Sequence, residues 1–113
     1  MQINALSPDV YSGEKNIYDR PGHIPGSHNV FYDTLLDPQS GIFRPLEELR
    51  ERFATTGALA SPRVITYCGG GISATMGALA LTLLGHPNVA VYDGSMSEWA
   101  RHAELPQTRG AEP

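Results

Sequence analysis

The chain has 113 residues, 41% of them hydrophobic and 18% charged, which is material for one modest core and too apolar for a disordered chain. Eight basic residues against twelve acidic ones leave a net charge of −4, so no basic field draws in nucleic acid or an anionic membrane surface. The single cysteine, Cys68, excludes an internal disulfide framework and a multi-cysteine metal site.

No charged-then-apolar leader opens the sequence, and no run approaches roughly 18 apolar residues, so the expectation is a cytoplasmic domain outside the membrane. In chain order, Gln2 to Leu6 predicts a short strand ended by Ser7-Pro8. Residues 12 to 26 are polar and rich in turn formers, with Pro21-Gly22 and Pro25-Gly26 as punctuation. Val30 to Tyr32 predicts a second strand, and Asp33 is placed to cap a brief turn over Thr34 to Leu36. Pro45 suits the first turn of a helix to Phe53, with Leu46, Leu49 and Phe53 on its inner face.

The β-branched run Val64 to Tyr67 predicts a buried parallel strand. After Cys68-Gly69-Gly70-Gly71, residues Ser73 to Leu84 predict a helix closed by Gly85. Val89 to Tyr92 predicts another strand, and Ser95 with Glu98 a capping box opening a last helix to Ala100. The predicted core is Val30, Leu46, Leu49, Val64, Ile65, Leu79, Leu83, Val89, Val91 and Trp99. Alternating strands and helices predict an α/β fold, a small mainly parallel sheet flanked by helices on both faces. Ligands of such sheets bind beyond the carboxyl ends of the strands, where Cys68 falls.

The order strand, cysteine, three glycines, helix carries the chemistry. Glycines let the backbone curl so that successive N–H groups face one concavity. The following helix adds its own free amides and the positive end of its dipole. A cysteine held there favours the thiolate, the nucleophilic form. A buried structural cysteine beside a turn is the ordinary alternative, but it does not require this run of small neighbours. Cys68 is therefore the candidate nucleophile, and Gly69, Gly70, Gly71, Ile72, Ser73 and Ala74 the candidate anion-binding loop.

The segment Tyr67-Cys68-Gly69-Gly70-Gly71-Ile72-Ser73-Ala74 resembles the active-site loop of rhodanese-like sulfurtransferases. Gly22-His23-Ile24-Pro25-Gly26-Ser27-His28-Asn29-Val30 is similar to the family's GHIPGA-x-N signature. Val91 to Trp99 (VYDGSMSEW) is similar to its closing YDGS-x-x-EW segment, and Pro45 to Phe53 to the intervening helix. The likeness covers roughly residues 2 to 104, in the family's order, and is best to the cysteine-bearing half of two-domain thiosulfate or 3-mercaptopyruvate sulfurtransferases. It implies one rhodanese-like domain over residues 1–105 and a fragment of a longer two-domain protein, while residues 106–113 have the composition of a tail. It also implies a Cys68 persulfide, no metal or organic cofactor, a small anionic sulfur donor, a thiol or cyanide acceptor, and a companion rhodanese domain as partner. The sequence departs where the family carries Asp-x-Arg, here Asn4-Ala5-Leu6, and where the thiosulfate-type loop carries Arg-Lys, here Gly69-Gly70.

His23 reads as a structural histidine of its turn rather than a general base. His28, His86 and His102 show no ligand spacing. Trp99 reads as core or pocket wall. Arg20 and Arg44 flank turns near the open edge and are candidates for steering an anion. Three functions follow. A sulfurtransferase moves sulfane sulfur from thiosulfate or a similar donor, or from 3-mercaptopyruvate. A cysteine phosphatase needs C-x5-R, but the sixth residue after Cys68 is Ala74 and the next arginine is Arg101. A sulfur-relay or regulatory domain would keep the cradle without turnover.

Overall fold

Val64–Tyr67 forms a strand over the span its β-branched run predicts, and the rest of the sheet is arranged around it. The computed structural model describes residues 1–113, with strands β1 (Gln2–Asn4), β2 (His28–Asn29), β3 (Val64–Tyr67) and β4 (Val89–Val91). Their order is β2-β1-β3-β4 and every pairing is parallel. From β1 the chain steps outward to β2 and then crosses to β3 on the other side, so the topological switch lies between β1 and β3. Crevices form at such points, and Cys68 follows β3 directly.

The helices are α1 (Pro8–Ser12), α2 (Leu46–Ala54), α3 (Ala74–Leu83) and α4 (Ser95–Trp99), with short 3-10 turns at Tyr32–Leu35 and Ala58–Ala60. On one sheet face Ile3 and Val64 pack with Leu35, Leu49 and Phe53, and with Ala80 and Leu81 of α3. Tyr67, on the opposite face by register, packs with Ile24, Met96 and Ala100. The predicted α/β architecture is therefore present. No helix is long and apolar enough to cross a membrane.

Several expectations are corrected. Pairing to β1 is made by His28–Asn29 rather than Val30–Tyr32, and the chain turns into a 3-10 segment at Tyr32. Asp33 does not cap that turn, whose preceding residue is Phe31. The Ser7-Pro8 break in fact starts α1, with proline in its first turn, a position where its missing N–H costs nothing.

Leu46, Leu79 and Leu83 are not core: each is about half exposed. In α3 the buried face is Ala74, Gly77, Ala80 and Leu81, because small residues let the helix approach the sheet closely. A Cβ added to Gly77 would already touch the Thr66 methyl at 3.6 Å. Ile65, Val89, Val91 and Trp99 are half-buried rather than fully enclosed, while Val30, Leu49 and Val64 are buried as predicted.

Residues 106–110 are not a loose tail. Thr108 and His23 exchange backbone hydrogen bonds at 2.8 and 2.9 Å, and the Gly110 N–H donates to the Ser12 carbonyl. The Gln107 amide donates to the Arg20 and Pro21 carbonyls, and the Trp99 indole N–H to the Pro106 carbonyl. The partners of Gln107 lie 86 and 87 residues away in sequence, which local composition does not reveal.

Candidate active site

Cys68 leaves the end of β3 with only 2% of its surface exposed, packed with Ala5 and Ala74. The Gly71 N–H donates to its Sγ at 3.1 Å. That geometry depends on Gly71 having φ +91° and on its bare Cα, because a Cβ there would lie 2.6 Å from the Asp93 carbonyl oxygen. The amides of residues 69, 70, 72, 73 and 74 have no acceptor within the chain. Ser73 precedes α3 with helical torsions and makes no side-chain cap, so the Ala74 amide stays free, while those of Thr75 and Met76 donate to the Ile72 and Ser73 carbonyls. The Gly71 amide is the one that reaches the sulfur, and the unpaired donors of the same loop suit an anion.

The three glycines are not equivalent. Of them only Gly71 has a positive φ. Gly69 is required by contact, since a Cβ would collide with the Tyr18 hydroxyl. Gly70 faces open space and its φ is not positive, so the expectation that it shares a left-handed curl with Gly71 is corrected. Ile72 is 82% exposed at the rim, whereas Ala74 is fully buried at the start of α3.

A second wall, absent from the sequence-based site, comes from the segment after β4. Ser95 is fully buried and is the one non-glycine residue with a positive φ, +51°. Its hydroxyl accepts the Cys68 N–H at 3.0 Å, donates to the Tyr92 carbonyl at 2.8 Å, and lies 4.0 Å from the Cys68 Sγ. The Met96 and Ser97 amides donate to the Cys68 and Gly69 carbonyls, each at 2.9 Å. The peptide of Cys68, the candidate nucleophile, is thus gripped on both sides by the start of α4. Ser95 does not form the predicted capping box, because its hydroxyl is engaged with Cys68 and Tyr92. Glu98 instead accepts the Tyr92 hydroxyl at 2.5 Å. Burial first, then Glu98, push the Tyr92 phenol up to about 12. A serine three residues before a glutamate reads as a cap locally, and only the juxtaposition of β3 and β4 reveals its other role.

Neither steering candidate is free. The Arg20 guanidinium donates to the carbonyls of Trp99, Ala100, His102 and Leu105 at 2.8–3.1 Å, fastening the end of α4. Arg44 donates to the Thr34 carbonyl and pairs with Glu48. His23 is structural: buried, stacked on Tyr11 at 3.6 Å, its Nδ1 facing the Tyr11 carbonyl at 2.8 Å. A carbonyl only accepts, so Nδ1 carries the proton. Tyr18, which the sequence did not single out, stands over the loop. Burial first, and Cys68 second, raise its phenol above the usual value, keeping it a neutral O–H.

Comparison with known proteins agrees with this geometry. The chain is 34% identical over 105 residues to thiosulfate/3-mercaptopyruvate sulfurtransferase 2 of Arabidopsis thaliana, covering 93% of this chain and 29% of the relative. It is 40% identical over 87 residues to the 3-mercaptopyruvate sulfurtransferase of Escherichia coli strain K12, covering 77% of this chain and 30% of that protein. Among solved structures, Tum1 from Saccharomyces cerevisiae superposes with a TM-score of 0.81 at 27% identity, over 99% of this chain and 40% of that one. EanB in complex with ergothioneine superposes at 0.85 and 26% identity, over 96% and 28%. The chain therefore spans less than half the length of these relatives. The model of the rhodanese-like domain matches residues 8–102, and the chain belongs to that family.

Proposed function

We propose that this chain is a sulfurtransferase that carries sulfane sulfur on Cys68. The observation that supports it most is the Gly71 N–H on Sγ within a loop of otherwise unpaired amides. In the first half-reaction the Cys68 thiolate attacks the outer sulfur of thiosulfate. The donor S–S bond breaks, its electron pair leaves with sulfite, and a Cys68 persulfide anion remains. The free amides of residues 69, 70, 72, 73 and 74 are suited to stabilise that anion. In the second half-reaction cyanide or a thiolate attacks the outer sulfur, and the pair returns to Cys68. No step calls for a metal or organic cofactor.

A second donor, 3-mercaptopyruvate, is favoured by the likeness to the E. coli protein of that name and by a loop without an arginine-lysine pair. Phosphoryl transfer fits poorly, because no guanidinium belongs to the loop. A companion rhodanese domain is a reasonable partner given the length of the relatives, and a reactive thiol suits the reducing cytoplasm. Steady-state rates on thiosulfate and 3-mercaptopyruvate, measured side by side, test this reading. Turnover on at least one, lost in Cys68→Ser, is expected. Inactivity toward both, with no sulfur taken up, would overturn it.

A further inference from the structure

The two faces of the sheet are covered unequally. On one, α2 and α3 close over Ile3 and Val64. On the other, Ile24, Met96 and Ala100 pack on Tyr67, at the carboxyl end of β3. Two residues earlier the register sets Gln2, Ile65 and Ala90 side by side across β1, β3 and β4, on that same face. All three are only half-buried, although β3 is an interior strand.

This uncovered row is the floor of a groove of about 320 Å3, at the small end of ligand sites. Tyr92 and Trp99 wall it on one side, and Arg63 stands at its amino end. The two rings meet edge to face at 6.2 Å, and their polar tips are already engaged. The Tyr92 hydroxyl donates to Glu98 and the Trp99 indole N–H to the Pro106 carbonyl. Such a wall offers a ligand only its apolar surface.

Arg63 supplies the one charge in the lining. The chain's salt bridges, Arg44–Glu48 and His102–Glu104, do not involve it. Glu98, the acid adjoining the wall, is taken up by Tyr92. A free guanidinium beside an apolar floor complements a planar carboxylate on an apolar body, which it can grip through two N–H groups.

We propose that this groove binds a small aromatic carboxylate, its ring on the Ile65–Ala90 floor against Trp99 and its carboxylate on Arg63. None of residues 68–74 lines the groove, so the site is separate from the Cys68 loop and independent of the sulfur-transfer reading.

Trp99 is the chain's only tryptophan, so fluorescence excited beyond the tyrosine band reports occupancy. 3-Phenylpropionate is titrated beside 3-phenylpropan-1-ol (ring without charge) and propionate (charge without ring) into wild type, R63Q and A90L. The acid is expected to give a saturable change in the millimolar range of so small a ligand, and propionate none. R63Q is expected to weaken the acid by about two- to fivefold, the scale of a solvent-exposed charge pair, and to leave the alcohol unchanged. A90L, which extends a side chain into the groove, is expected to abolish both responses while melting as a folded protein. R63Q is a surface change and carries the test if A90L fails to fold.

The absence of a saturable response to the acid, or a response that R63Q leaves unchanged, overturns the proposal. So does competition by thiosulfate in Cys68→Ser, which would put the acid in the amide loop instead. A dimer in sedimentation that A90L dissolves also overturns it, because the groove is then an interface between copies.

Discussion

Replacing Gly71 by alanine tests the loop most sharply, because its effect can be built up from separate contributions. The native φ of +91° lies where an L side chain is disfavoured by roughly 1–2 kcal/mol. The new Cβ would stand 2.6 Å from the Asp93 carbonyl oxygen and 2.8 Å from its Oδ1. The first is backbone and cannot swing aside, so the loop must shift, at the roughly 1–3 kcal/mol typical of overpacking. Together they predict a loss of stability of about 2–5 kcal/mol. The shift also draws the Gly71 N–H from the Cys68 Sγ, and a hydrogen bond to a charged group contributes about 1.5–3 kcal/mol. At about 1.4 kcal/mol per decade, that is roughly ten- to a hundredfold in the rate of persulfide formation. Gly70→Ala is the control, since nothing lies within 4 Å of its added Cβ and its φ is not positive. It should load sulfur at nearly the wild-type rate. Thermal melts and single-turnover loading followed by intact mass read both quantities. Equal behaviour of the two variants would refute this account of the glycines.

Ser95→Ala leaves the buried Cys68 N–H without an acceptor, a penalty of about 1–3 kcal/mol, and should lower kcat with little change in donor KM. An effect confined to KM would place Ser95 in binding instead. Arg20→Ala removes four hydrogen bonds to the end of α4 and should cost about 2–3 kcal/mol of stability. Its donor KM should hold, whereas a KM rise with unchanged melting would restore Arg20 as a steering residue. Gly69→Ala should impair loading through the clash with the Tyr18 hydroxyl, and adding Tyr18→Phe should recover part of the loss. No recovery would mean that Gly69 is required for another reason.

Much of this arrangement was legible before the structure. The β-branched run of β3 and the Leu49/Phe53 face of α2 have one dominant pattern each, so their elements follow, and with them the burial of Val64 and Leu49. The strand–Cys–Gly-Gly-Gly–helix order likewise marks Cys68. Helix α3 is different. The stretch Ala74–Leu83 is apolar almost all round, so periodicity carries no phase, and the close approach of small residues decides which face is buried. Leu79 and Leu83 were misplaced for that reason.

Ser95, Tyr18 and Arg20 were missed or misassigned because their partners lie far off in sequence. The Ser95 hydroxyl meets Cys68 across 27 residues, and the Arg20 guanidinium meets carbonyls about 80 residues downstream. Propensity speaks to a residue's neighbours in sequence, and these roles are created by the parallel sheet. The same cause hid the stitching of Gln107 and Thr108 onto the body of the domain.

The central claim is that Cys68 holds transferable sulfur within its amide cradle. Intact mass of the wild type and of Cys68→Ser, each incubated with thiosulfate or 3-mercaptopyruvate and then with cyanide, tests it directly. The account predicts a gain of one sulfur atom in the wild type, removed by cyanide with thiocyanate as product, and no gain in a folded Cys68→Ser. An unchanged wild-type mass with both donors, or the same gain in the variant, would contradict it.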